Sequence, residues 1–337
     1  MRTAATQTLG IDHPVIQAPM GGATSPALAA AVSEAGGLGM LALSWTPIEK
    51  AQEEIRATRA LTSRPFGINL VLAFPQEERL EACLEAGARI VSFFWGRPGK
   101  LAEKVHAPGG LVIETVASAA EACEALHGGP DILVAQGWEA GGHVKGEVAT
   151  LPLTRVVVEA ARGVPVLAAG GVVDGAGLAA VLALGATGAW IGTRFLASRE
   201  AAIHPDYQRR LIAATETSTV WSSLYDLGWP DAPHRTLRNS TFEAWEAAGR
   251  PPSGARPGEG EAVARLGDGR PLPRYAAVTP PPGANGEIEA LSLWAGQGVG
   301  LVREIKGAGE IVAEIAAEAE ATITVLARRL AQERGRG

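Results

Sequence analysis

The stretch Ile132-Leu-Val-Ala-Gln-Gly-Trp-Glu-Ala-Gly-Gly-His143 opens with four apolar residues and passes directly into a polar, glycine-rich loop. An apolar run without polar alternation is what a parallel strand buried on both faces requires. Outward from it the same kind of run recurs. Val15–Ala18, Leu38–Ala42, Phe66–Leu70, Arg89–Phe93 and Leu111–Thr115 precede it, and Pro165–Ala169 and Ala189–Ile191 follow. Strand starts mostly fall about 20 to 30 residues apart, the period of a strand–helix unit.

The intervening segments are alanine-rich and amphipathic, with readable ends. Ser25-Pro26 sets an N-cap before a proline at the first helical position, and Gly36-Gly37 stops that helix. Thr46-Pro-Ile-Glu49 and Ser118-Ala-Ala-Glu121 have capping-box spacing. Asp174 is placed to cap a helix over Leu178–Leu184, which Gly185 ends. Eight such units by about residue 200 predict a closed α/β barrel, the (β/α)8 TIM barrel. An open doubly wound sheet would need GxGxxG after the first strand, and Pro19-Met-Gly-Gly22 stands there instead.

Beyond Ala197 the alternation stops. Residues 204–290 read as a loop- and helix-rich insertion carrying Trp221, Tyr225, Trp229 and Trp245, with helices over Asp206–Thr215 and Thr241–Ala248 and a loop over Pro251–Pro282. A loop-rich insertion of that length reads as a lid over a site. The periodic segment Glu310–Arg334 predicts a helix closing the outer ring. Three regions follow: a barrel over residues 1–203, the insertion or lid over 204–290, and a segment over 291–337 that completes the barrel.

Composition narrows the function. With 337 residues, 47% hydrophobic and 20% charged, the chain can bury a core without a metal or disulfide. Cys83 and Cys123 read as small buried core residues. The net charge of −6 has no basic stripe in it, which argues against nucleic-acid binding. No apolar run reaches about 18 residues and the N-terminus lacks a signal-type apolar region, so a cytoplasmic location without membrane contact is expected. Ligand spacings such as HExxH are absent, as is GxSxG, so neither a catalytic metal nor a serine nucleophile is expected.

In a barrel, chemistry sits at the C-terminal ends of the strands. There the sequence places Pro19-Met-Gly-Gly22, Asn69, the segment Gln136–His143, Gly170-Gly-Val-Val-Asp174 and Gly192-Thr-Arg-Phe195. Glycines after the last two strands let backbone approach a ligand closely, and the helix that follows presents unpaired N–H groups to an anion. Thr193 adds a hydroxyl donor. His143 is the one histidine just beyond a strand's C-terminal end, and imidazole is the natural proton acceptor near neutral pH. The two glycines before it give its loop freedom to bring the ring over a planar ligand. His204 reads as an anchor for the following helix. His13, His106, His127 and His234 read as surface or loop residues.

Together these segments resemble the nitronate monooxygenase family (formerly 2-nitropropane dioxygenases). The resemblance runs through Gln17-Ala-Pro-Met20, Gly36-Gly-Leu-Gly39, Phe66-Gly-Ile-Asn69, Gln136–His143, Ala169-Gly-Gly-Val-Val-Asp174, Gly192-Thr-Arg-Phe-Leu196, Arg238-Asn239 and Ala295-Gly-Gln-Gly298. It implies FMN at the top of the barrel. Gly170, Gly171, Gly192 and Thr193 would then bind its phosphate, and Ala18, Pro19 and Met20 would line the isoalloxazine. Asn69 and Gln136 would hydrogen-bond its polar atoms, with Gly141, Gly142 and Gln297 also in the cofactor site. His143 matches the family's catalytic histidine near the flavin N5. The implied reaction takes an alkyl nitronate and O2 to a carbonyl compound and nitrite. Family members often follow this histidine with Arg-Gly; here Val144-Lys-Gly146 follows, so either Lys145 supplies the cation one residue later or the loop has changed its substrate.

Three alternatives remain open. One is an NAD(P)H-dependent FMN reductase on the same fold, resembling quinone reductases or enoyl-acyl-carrier-protein reductase II. Another is a flavin-free phosphate-binding barrel isomerase or synthase, and the last is a non-catalytic binding protein. An oligomer is compatible with all of them.

Overall fold

The computed structural model describes residues 1–334, and in it the eight apolar runs lie side by side as one parallel sheet. In chain order the strands are β1 (Val15–Gln17), β2 (Gly39–Ala42), β3 (Phe66–Val71), β4 (Ile90–Phe94), β5 (Leu111–Val116), β6 (Ile132–Gln136), β7 (Gly142–His143), β8 (Val166–Ala169) and β9 (Gly188–Ile191). All but β7 belong to the sheet, in the order β1-β9-β8-β6-β5-β4-β3-β2. Its two ends meet. Leu38 N–H donates to Val15 O at 3.0 Å and Gln17 N–H donates to Leu38 O at 3.0 Å. The sheet is thus a closed barrel, the fold class that the eight runs predicted.

Register fixes the level of the site. Gln136 pairs with Ala169, Asn69 with Ala42 and Ser92, and Gln17 with Ile191. These residues therefore ring the same, C-terminal rim of the barrel. The interior beneath is packed by Ile16, Met40, Ile113, Val134 and Leu167, all buried. An N-terminal helix, Ala4–Leu9, which the sequence reading missed, adds Ala5 and Leu9 to that cluster.

Two helix starts agree with expectation. Ser25 Oγ accepts from Leu28 N–H ahead of the helix Pro26–Glu34, and Asp174 accepts from Gly177 N–H at the head of Gly175–Ala183. Two others do not. The helix Ile48–Leu61 begins after Pro47 with no side-chain cap, so Thr46 is not its cap. Ser118 does cap Ala119–Ala125, but the Glu121 carboxylate accepts from Ala117 N–H, one residue upstream of a capping box. Cys83 is buried as expected, whereas Cys123 is exposed, because Ala122 and Ala125 take that helix's inner face.

The insertion has more order than its sequence suggests. Helices Pro205–Ala213 and Ser240–Ala247 bracket strands β10 (Thr219–Ser222) and β11 (His234–Leu237). His204 Nδ1 accepts from Asp206 N–H and caps the first of these helices. The stretch read as loop, Pro251–Pro282, instead contains β12 (Ala262–Arg265) and β13 (Pro271–Pro273), which pair antiparallel and are joined by β14 (Asn285–Gly286). Strands this short leave no visible alternation. A small core of Val263, Leu272, Ile288 and Leu291 holds them. Arg256, buried, ties the region together through Asp226 at 2.9 Å and Glu259 at 2.5 Å while lying over the Tyr275 ring.

The final helix runs Ala308–Arg334, as its periodicity predicted, and packs Ile311, Val312, Ile315 and Ala319 against the helices Pro26–Glu34 and Gly175–Ala183. Residues 335–337 of the predicted closing segment lie outside the described residues. No helix among the described residues is long and apolar enough to cross a membrane.

Candidate active site

A cavity of about 600 Å³ opens at the C-terminal rim of the barrel, within the roughly 300–1,000 Å³ usual for cofactor and substrate sites. Of the thirteen residues singled out from sequence, Ala18, Pro19, Met20, Asn69, Gln136, Gly141, Gly142, His143, Gly170, Gly171, Gly192 and Thr193 line it. Gln297 does not. Its amide donates to Glu139 O at 3.0 Å, and the glycines on either side, Gly296 and Gly298, line the cavity in its place.

Asn69 is oriented by donating from Nδ2 to Ser92 Oγ at 2.8 Å. Gln136 donates from Nε2 to the His143 carbonyl at 3.1 Å, while its Oε1 is buried without a partner. Gly170 and Gly171 have φ of 103° and 73°, the left-handed region that favours glycine. Beneath them Thr150 donates from Oγ1 to Gly170 O at 3.1 Å. Thr193 Oγ1 accepts from Gly296 N–H at 3.0 Å, which leaves its hydroxyl proton for another acceptor.

The helix Gly175–Ala183 does not serve as the expected anion site. Its first amides already donate to Glu318 Oε2 and Asp174 Oδ1, each at 2.8 Å. The glycine loop ahead of it and the start of the short helix Thr193–Leu196 remain beside the cavity.

His143 is not on a free loop. Gly142–His143 forms β7, an edge strand paired antiparallel with β11, so that His143 faces His234 and Gly142 faces Arg235. The insertion therefore clamps the loop that the two glycines suggested was mobile. His143 lines the cavity, but its Nε2 is buried and without a hydrogen-bond partner. Burial, with a smaller contribution from neighbouring His234, holds its pKa down to about 3. The imidazole is thus neutral, with Nε2 left unpartnered.

His234, read from sequence as a surface or loop residue, is fully buried. Its Nδ1 lies 2.9 Å from Ala232 O and its Nε2 accepts from Tyr225 N–H at 3.2 Å. Those contacts fix the Nδ1–H tautomer, and burial holds the pKa down to about 4. Its pairing lies across 91 residues of sequence, which no local pattern reports. Arg235 beside it is 2% exposed, donates to Trp138 O at 3.1 Å and lies 4.3 Å over the Trp138 ring.

Lys145 does not reach the cavity; it pairs with Glu121 at 2.7 Å on the outside. Among the described residues, Lys50 is the only Asp, Glu, Lys or Arg lining the cavity, and it is exposed. Trp45, Trp229 and Trp294 also line it, from three separate parts of the chain.

A family profile described as nitronate monooxygenase matches residues 2–82 and 72–318. The nitronate monooxygenase of Paraburkholderia phytofirmans is 32% identical, over 96% of this chain and 97% of its own. A Mycobacterium tuberculosis protein named (3aS,4S,5R,7aS)-5-hydroxy-7a-methyl-1-oxo-octahydro-1H-indene-4-carboxyl-CoA dehydrogenase is 36% identical over 74% of this chain and 70% of its own. Among solved structures, FabK from Thermotoga maritima superposes with a TM-score of 0.84 at 34% identity, covering 98% of this chain and 99% of that one.

Proposed function

Given that the chain belongs to the nitronate monooxygenase family and is an oxidoreductase, we propose that it oxidises alkyl nitronates with O2 to a carbonyl compound and nitrite, using FMN. The observation that carries this reading is that His143 and Gln136 line one cavity and each keeps a buried side-chain atom, Nε2 and Oε1, without a hydrogen-bond partner. Orphaned buried polar atoms are costly, and a bound group with matching donors relieves that cost.

The residues present fit FMN. Gly170, Gly171, Gly192 and the free proton of Thr193 suit its phosphate, and Ala18, Pro19 and Met20 offer an apolar wall for a flat ring. Asn69 and Gln136 supply amides for the ring's polar edge. The chemistry FMN supplies when bound is electron transfer from the substrate carbon to O2.

The protein's own part is proton handling and placement. The His143 imidazole accepts the α-proton when a neutral nitroalkane is offered, and otherwise orients the anion. Gln136 and β11 hold that imidazole through the main chain at His143. The insertion, whose Trp229 and Thr279 line the cavity, acts as a lid that excludes water from it.

A second reading is an NAD(P)H-dependent reductase on the same scaffold, favoured by the similarity to FabK over nearly the whole chain. Anaerobic mixing separates the two. Purified protein should be yellow and should be bleached by ethyl nitronate. Rapid bleaching by NADH, with no nitronate turnover, would establish the reductase instead. A colourless protein that does not take up FMN would sink both.

A further inference from the structure

One side of the cavity is walled by packed aromatic rings. His143 lies on Trp229 with centroids 4.0 Å apart. Trp229 continues to Trp45 at 5.6 Å, and Trp294 lies 5.3 Å from His143 on its other side. The result is an aromatic arc running from the candidate base to the mouth. Trp45 ends it with 51% of its surface exposed, an open apolar face of the kind that marks a binding surface.

The arc is held in place from behind. Trp95 stands 5.0 Å from Trp229 and Phe74 stands 5.6 Å from it. Trp95 has φ of 62°, a left-handed backbone that a bulky residue adopts only when its surroundings enforce it. Trp229 is buried, so the half-exposed Trp45 presents the flat face open to a ring, and a short linear alkyl group would leave most of that face wet. Rings of this kind also attract cations. Lys50, which lines the mouth and forms no ion pair among the described residues, opposes a cationic substrate.

Resting on the nitronate reading, we propose that the substrate carries an apolar ring, planar or compact, seated against Trp45 with its reactive carbon at His143, and that it is neutral or anionic.

Two measurements test this. The first compares kcat/KM for the nitronate of phenylnitromethane with that for ethyl nitronate; a preference of about tenfold or more for the ring is expected. The second measures calorimetric binding of phenylacetate against acetate, carboxylates that imitate the flat nitronate anion, with tighter binding of phenylacetate expected. Trp45→Ala should reduce both preferences, since Trp45 is half exposed and its removal leaves the fold intact. Trp229→Phe, which keeps an aromatic ring packed behind Trp45, should keep them.

Equal kcat/KM values together with equal binding of the two carboxylates would overturn the ring assignment while leaving nitronate oxidation standing. A preference for phenylacetate without turnover of either nitronate would support the ring site and reject the reaction.

Discussion

The His143 imidazole is stacked on the indole of Trp229, with centroids 4.0 Å apart and planes 28° from parallel. The candidate base thus leans on a residue of the insertion, and its backbone pairs with another insertion residue, His234. The candidate base and the insertion are one packed unit in this fold.

That coupling makes the His143 side chain separable from the cofactor site. In His143→Gln the glycines at 170, 171 and 192 and the Thr193 hydroxyl are untouched, so the flavin content of purified protein should match the parent. Turnover of neutral nitroalkanes should fall by about two to four orders of magnitude, the usual share of a general base. Steady-state rates with a nitroalkane and with its preformed nitronate check this, because the anion needs no deprotonation. Undiminished rates on the neutral substrate would rule out the base assignment.

The same imidazole gives the fold a pH dependence with a definite sign. Burial holds His143 at about 3 and His234 at about 4, while a free histidine titrates near 6.5. Between those values the unfolded chain binds protons that the folded chain refuses, so stability rises with pH. It is therefore lost progressively as pH falls from about 6.5 toward 3, and these two residues add no slope at higher pH. The urea midpoint should drop between pH 7 and pH 4.5, and drop less in His143→Gln. An identical drop in the variant would place the effect elsewhere.

How much of this was readable in the sequence depends on the range of each interaction. The barrel was, because each strand and helix carries its own periodicity and punctuation: Val134 and Leu167 sit in continuous apolar runs, and Ser25 and Asp174 in local caps. Twelve of the thirteen proposed site residues reach the cavity because strand ends in a barrel converge wherever the strands are correctly located. Lys145 and His234 went wrong for the opposite reason. Both are decided by partners distant in sequence, Glu121 for the first and the β7 pairing for the second. The hairpin β12–β13 failed because strands of four and three residues, the second of them Pro-Leu-Pro, carry no period to read.

Arg235 offers a test of the clamp that avoids the cavity. Its guanidinium makes no ion pair among the described residues, yet it bonds Trp138 O and covers the Trp138 ring. Burial lowers its pKa, with Glu139 acting in opposition. Arg235→Met keeps much of the packing but leaves the Trp138 carbonyl unpaired, at a cost of about 1–3 kcal/mol. Because Trp138 belongs to the loop carrying His143, kcat should fall more than flavin affinity does. A kinetic comparison alongside a flavin titration reads the two separately. Lost flavin with normal kcat would show that Arg235 supports the cofactor loops rather than His143.

Gly141 tests the loop from the other side, through space rather than hydrogen bonding. A Cβ built there would lie 2.4 Å from Gly296 N and 2.6 Å from Ala295 C, both backbone atoms of the segment leading out of Trp294. Neither can yield by rotating a side chain, so the two main chains must separate. Gly142, next to it, has nothing within 4 Å of an added Cβ, but its φ of 74° strains any other residue. Gly141→Ala should therefore destabilise the fold by about 1–3 kcal/mol, the usual cost of overpacking. It should also push Gly296 away from Thr193 and weaken FMN. Gly142→Ala should cost only its backbone strain, of the order of 1 kcal/mol, and leave FMN affinity near that of the parent. Thermal melts and flavin titrations of the two single variants give the comparison. Equal loss of FMN in both would mean that the close approach of Gly141 to Gly296 does not shape the cofactor site.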